Sequence, residues 1–163
     1  MTQTGRVGVI GTAATIRSGA YEKYLHKKDG TLDLFTQACP LFVPLVEEGF
    51  AKHKITEEAI DFYLSDMKST QIDTMILGCT HYPLLRSKIM AYFGEEIHIV
   101  NPAYETAMDL KAALNDCGIA NQSGIPATYE FYVSDAAQKF TKFANSILPY
   151  DVAATKQINI EEY

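Results

Sequence analysis

A chain of 163 residues, 47% of them hydrophobic, can build a sizeable core, and its net charge of −6 argues against nucleic acid or an anionic membrane as the main partner. No apolar run is long enough to span a bilayer and residues 1–10 carry no signal-peptide pattern, so a cytoplasmic protein is expected. Cys39, Cys79 and Cys117 are odd in number and form no Cys-x-x-Cys pair, which fits reduced thiols better than a disulfide frame or a zinc site.

Residues 6–10 read as a buried strand that runs into a polar turn, Gly11-Thr12-Ala13-Ala14-Thr15, before a helix over 18–26. Hydroxyls in such a turn either meet a ligand carboxylate or satisfy backbone groups and cap the helix, and local pattern favours the cap. A second strand over 31–38 leads to Cys39-Pro40-Leu41-Phe42-Val43-Pro44-Leu45-Val46-Glu47, where two prolines four apart prevent one regular helix. By residue type alone Cys39 is core, and Glu47 and Glu48 are solvated charges.

Residues 56–69 form the clearest helix, with Thr56 as its cap and Ile60, Tyr63, Leu64 and Met67 on one face. The apolar run 74–77 is a buried parallel strand, followed by Gly78-Cys79-Thr80-His81-Tyr82-Pro83-Leu84-Leu85. That places Cys79 and His81 at the carboxyl end of a strand, where open α/β sheets bind ligands. A following helix N-terminus would favour a thiolate, and in an extended loop residues 79 and 81 share a face. The plainer reading is a buried cysteine beside a satisfied imidazole.

Further on, a helix over 84–93, a strand over 97–100 and a helix over 102–117 lead to a loop over 121–124. An aromatic strand over 128–133, a helix capped by Ser134 with Phe140, Phe143, Ala144 and Ile147 on one face, and a short strand over 157–160 complete the chain. Alternating strands and helices predict an α/β fold, a parallel sheet covered by helices on both faces.

Three blocks stand in a telling order: Gly11-Thr12-Ala13-Ala14-Thr15-Ile16, Cys39 to Glu47, and the Cys79 block. Together they resemble the glutamate racemase family of the aspartate/glutamate racemase superfamily. The resemblance implies cofactor-independent racemisation of L-glutamate to D-glutamate, a peptidoglycan precursor, with no metal, pyridoxal phosphate or nucleotide. It implies that Cys79 exchanges the α-proton, that His81 and Glu47 assist, and that Thr12, Thr15 and Thr80 bind the substrate.

Two features of the family are absent: neither a Cys-Asn-Thr motif nor an Asp-Ser-Gly turn occurs here. The chain therefore resembles the second half of a racemase, lacks the first catalytic cysteine, and is expected to need the other half for turnover. By the same resemblance, residues 1–104 form the racemase-like α/β domain and 105–163 a segment that belongs with the other domain. Its aromatic face is then expected to meet the missing N-terminal domain or a second copy of the chain. Competing functions are a non-catalytic binding module derived from a racemase and a Cys-His hydrolase or transferase.

Overall fold

The computed structural model describes residues 2–162, which divide into two compact units, one ending at Ala120 and the other starting at Asn121. The first unit holds β1 (Arg6–Gly11), α1 (Ala13–Arg17), α2 (Ala20–Lys28), β2 (Asp33–Ala38), α3 (Phe42–Glu47), α4 (Lys54–Ser69), β3 (Thr74–Gly78), α5 (Arg86–Phe93), β4 (His98–Val100) and α6 (Pro102–Asp116). The four strands are all parallel, in the order β2-β1-β3-β4. The chain leaves β1 toward one edge and later returns to its other side, so the sheet has its switch point between β1 and β3.

Strands buried on both faces need apolar residues at successive positions, and β1 and β3 supply them. Val7, Val9, Ile10, Met75 and Leu77 are all buried, against Ile60, Leu64 and Met67 of α4 and Ile89 of α5 in the same core. Gly8 is glycine because the end of α4 and the loop after it come so close: a Cβ there would lie 2.6 Å from Ile72 Cδ1 and 2.8 Å from Met67 Sδ.

Several local expectations are corrected. The turn after β1 is itself helical: α1 begins at Ala13, and Gly19, with φ +60, separates it from α2. Helix α4 starts at Lys54, capped by His53, whose Nδ1 accepts from the Ile55 amide at 3.2 Å. Thr56 is no cap; it is buried, and its hydroxyl donates to the Phe50 carbonyl at 2.7 Å. The helix expected over 84–93 is split into a 3-10 turn, Tyr82–Leu85, and α5.

In the second unit β5 (Phe131–Val133) and β6 (Thr155–Gln157) pair in parallel around α7 (Ala137–Ile147). Ser134 does not cap α7; the residue before it is Ala136, in the left-handed region at φ +50. The last strand lies earlier than 157–160, and Ile160–Glu162 is a 3-10 turn. Helix α6 lies in the first unit, where its Pro102, Glu105 and Thr106 line a cleft with α2. Among the described residues no helix is long and apolar enough to cross a membrane.

At the opposite end of the sheet Asp73 ties down the start of the chain. Its carboxylate accepts from the Thr2 hydroxyl and the amides of Gln3 and Thr4 at 2.6–2.7 Å, and from the Thr74 hydroxyl at 2.9 Å. Desolvation pushes its pKa up, but these donors outweigh it and hold the carboxyl well below its ordinary value of 3.8. The stabilisation is therefore complete above that value and is lost as the pH falls toward the folded one. Asp73→Ala is expected to abolish the hydrogen-exchange protection of the Gln3 and Thr4 amides at neutral pH; unchanged protection factors would mean the segment is held by something else.

Candidate active site

Strand register puts the three sequence blocks side by side. Gly11 pairs with Ala38 on one side and with Gly78 on the other, so β1, β2 and β3 end level. The next residues are Thr12, Cys39 and Cys79. Three segments far apart in sequence thus leave the sheet together at its carboxyl edge, around the switch point.

Each segment turns as its residues dictate. Thr12 caps α1, its Oγ1 accepting from the Thr15 amide at 3.2 Å and lying 3.0 Å from the Thr15 hydroxyl. The cap reading of Thr12 therefore holds, while both hydroxyls remain part-exposed at the mouth of the sheet. After Cys39 the chain enters α3, which tolerates Pro44 because the amide proline lacks falls in the first turn, where no intrahelical acceptor is required.

After Gly78 the loop does not stay extended. The Tyr82 amide donates to the Cys79 carbonyl at 3.3 Å, and His81 has helical backbone angles, φ −85 and ψ −27. The expectation that residues 79 and 81 share a face through an extended backbone therefore fails. The N-terminal dipole expected at Cys79 is also displaced, since only the short 3-10 turn follows and α5 begins at Arg86. Dipole effects fade within a turn.

What aims His81 is a tertiary contact. Its Nε2 lies 3.3 Å from Glu47 Oε1 at the end of α3, and its Nδ1 lies 3.3 Å from the Thr80 hydroxyl. In the neutral ring one assignment satisfies both contacts: Nε2–H donates to the carboxylate and Nδ1 accepts from Thr80. Glu47, a solvated charge by residue type alone, is thus brought onto the imidazole.

Tyr82 holds the two segments in place. It is fully buried, its hydroxyl donates to the Cys39 carbonyl at 2.8 Å, and its ring meets Phe42 edge-on at 5.2 Å between centroids. Burial first, and charge at Cys39 and Cys79 after it, push the phenol pKa up, so the donor keeps its proton. Sequence reasoning passed over Tyr82; its signal was a polar aromatic inside an otherwise functional block.

The thiols differ sharply. Cys39 is completely buried, and desolvation pushes its pKa up to about 12. Cys79 is part-exposed and Cys117 exposed. On the sheet face beside the site, a cleft of about 720 Å³ opens between α2 and α6, with Tyr21, Ile76 and Val100 in its lining. Among the described residues no group of three or more His, Cys, Asp or Glu side chains could hold a metal ion.

Fold and site together define a parallel α/β domain with a thiol, an imidazole, a carboxylate and several hydroxyls gathered at its switch point. The chain is a partial-length homologue of the glutamate racemases, whose solved structures share this α/β fold of parallel sheet and flanking helices. It is 45% identical over 139 residues to the glutamate racemase of Chlorobaculum parvum, covering 85% of this chain and 51% of that protein. The crystal structure of glutamate racemase isoform RacE1 from Bacillus anthracis superposes with a TM-score of 0.89 at 34% identity, over 98% of this chain and 59% of that one. The Francisella tularensis glutamate racemase, solved in complex with D-glutamate, gives a TM-score of 0.88 at 32% identity over the same shares. The chain thus spans about half to three-fifths of the length of these relatives. No family model matches it.

Two outcomes are expected. Under native conditions an alkylating reagent should label Cys79 and Cys117 and spare Cys39 until the chain is unfolded, as read by peptide mass spectrometry; early labelling of Cys39 would contradict its burial. Tyr82→Phe removes one of the two donors to the Cys39 carbonyl, the Phe42 amide at 3.1 Å being the other, and should lower stability by about 0.5–1.5 kcal/mol in denaturant unfolding, whereas an unchanged midpoint would show the bond to be dispensable.

Proposed function

We propose that this chain carries one of the two thiols of a cofactor-independent glutamate racemase, acting in the cytoplasm to supply D-glutamate for peptidoglycan. The observation that supports this reading best is the arrival of the Thr12, Cys39–Glu47 and Cys79 blocks at level strand ends, with His81 against Glu47. The homologous Francisella protein in complex with D-glutamate supports the substrate.

In this reading the Cys79 thiolate takes the α-proton: an S–H bond forms, the Cα–H bond breaks, and its electron pair stays on the carbon. The α-proton is a weaker acid than a thiol by roughly ten or more pK units, about 14 kcal/mol uphill at 1.36 kcal/mol per unit. That gap is met by desolvating and aiming the base and by placing fixed donors where charge develops. Thr12, Thr15 and Thr80 supply hydroxyl donors for the substrate's carboxylate or amino group. His81, held by Glu47 on one side and Thr80 on the other, assists that thiol from the same turn.

Inversion needs a second donor on the opposite face of the carbon. A thiol of the remaining part of a full-length racemase returns a proton to Cα and is left as thiolate, and the two sulfurs exchange roles in the reverse direction. Exposed apolar side chains in the second unit, Ile125, Tyr129, Tyr132 and Ile147, form the surface we assign to that other half or to a second copy. The partial length favours one further reading, a racemase-derived module that binds a carboxylate without turning it over.

The test is loss of the Cα proton of L-glutamate in deuterated water, followed by NMR, with this chain alone and with a first-half polypeptide added. Exchange is expected in the mixture, falling at least about a hundredfold with Cys79→Ser. No exchange in either sample would overturn the catalytic reading in favour of the binding module.

A further inference from the structure

Counting hydrogens narrows what the hydroxyls of the proposed substrate site can offer. A threonine hydroxyl has one hydrogen and two lone pairs. The Thr80 hydroxyl lies 3.3 Å from Nδ1 of His81, whose Nε2 lies 3.3 Å from the Glu47 carboxylate. A carboxylate only accepts, so the neutral ring carries its hydrogen on Nε2, and Nδ1 is left as an acceptor. The one Thr80 hydrogen is spent on that nitrogen. Toward a ligand, this exposed hydroxyl therefore presents lone pairs.

The threonine pair on the neighbouring turn has the opposite polarity. Thr12 Oγ1 accepts from the Thr15 amide at 3.2 Å and lies 3.0 Å from the Thr15 hydroxyl. Whichever of the two hydroxyls donates, their mutual bond uses one hydrogen and leaves the other to point outward. The bond from the amide polarises the pair, which makes that outward hydrogen a better donor to an anion. Gly11 and Gly78 are partners in the register, and paired strands lie about 4.8 Å apart, so a donor turn and an acceptor turn leave the sheet side by side at one crevice.

We propose that Thr80 sets specificity for an amino acid over a simple dicarboxylate: its lone pairs accept a hydrogen bond from the substrate's ammonium group, while the Thr12–Thr15 pair donates its one outward hydrogen to a carboxylate. The proposal deepens the racemase reading and rests on it for the substrate. An ammonium has hydrogens to give and no lone pair, so a hydroxyl whose own hydrogen is already spent is its complement. Thr80 directly follows Cys79, so the carbon that bears the ammonium, and with it the proton to be exchanged, is drawn to the turn that holds the thiol. With a charged His81 ring the polarity would reverse: Nδ1–H would donate to Thr80, and the Thr80 hydrogen would turn outward to a carboxylate. The two arrangements read different ends of the ligand.

The test compares D-glutamate with glutarate, the same dicarboxylate without the ammonium, as ligands of the full 163-residue chain, alone and with a first-half polypeptide added. Backbone amide shifts of the labelled chain report the dissociation constants of its folded form. Thr80 is exposed, so Thr80→Val removes the hydroxyl without loss from the core. It should weaken D-glutamate about tenfold and leave glutarate within about twofold, and Thr80→Ser, which restores the hydroxyl, should recover most of the D-glutamate affinity. Thr12→Val should weaken both ligands by a similar factor, since each keeps its carboxylates. Unchanged D-glutamate affinity in Thr80→Val, or equal weakening of both ligands, would overturn the proposal and leave the racemase reading standing. Failure of the unaltered chain to bind D-glutamate in either sample would overturn that reading and this proposal with it.

Discussion

The buried hydrogen bond from Tyr82 to the Cys39 carbonyl is the contact on which the site depends. It joins segments 43 residues apart, and it does so where water cannot compete. On one side it fixes the turn that carries Cys79, Thr80 and His81; on the other it fixes the entry to α3, whose far end carries Glu47. The edge-on packing of Phe42 between Tyr82 and Tyr63 makes that junction rigid. A carboxylate and an imidazole from different segments meet because the backbone beneath them is clamped.

The parallel sheet supplies the rest of the geometry. Level strand ends bring three loops to one edge, and the order β2-β1-β3-β4 opens a crevice between β1 and β3, between the Thr12 turn and the Cys79 turn. Glycines at strand ends let other groups close in, most clearly at Gly78, where the Tyr21 ring and the Ile10 carbonyl occupy the space of a side chain. Burial then sorts the thiols. Cys39 is pushed out of the reactive range, while Cys79, at the mouth, stays part-open to solvent.

Much of the fold was legible in the sequence because it is written in local periodicity. The buried runs of β1 and β3 and the stripe Ile60, Leu64, Met67 gave strands and helix close to where they lie. Ends were less legible: Thr56 reads as a cap, yet His53 satisfies the first turn and Thr56 is swallowed by the core. The candidate site was legible in its blocks and not in its geometry. An extended loop was the simplest way to set His81 beside Cys79, but the loop curls, and the ring is aimed by Glu47, a partner 34 positions away that no local pattern picks out.

The central claim is that the turns after β1 and β3 form one surface for an acidic amino acid. The direct measurement is a titration of the isotopically labelled chain with D-glutamate, followed residue by residue through its backbone amide resonances. The account predicts saturable shifts concentrated at Thr12, Thr15, Cys79, Thr80 and His81. Shifts confined to the second unit, or none at concentrations that saturate a full-length racemase, would contradict it.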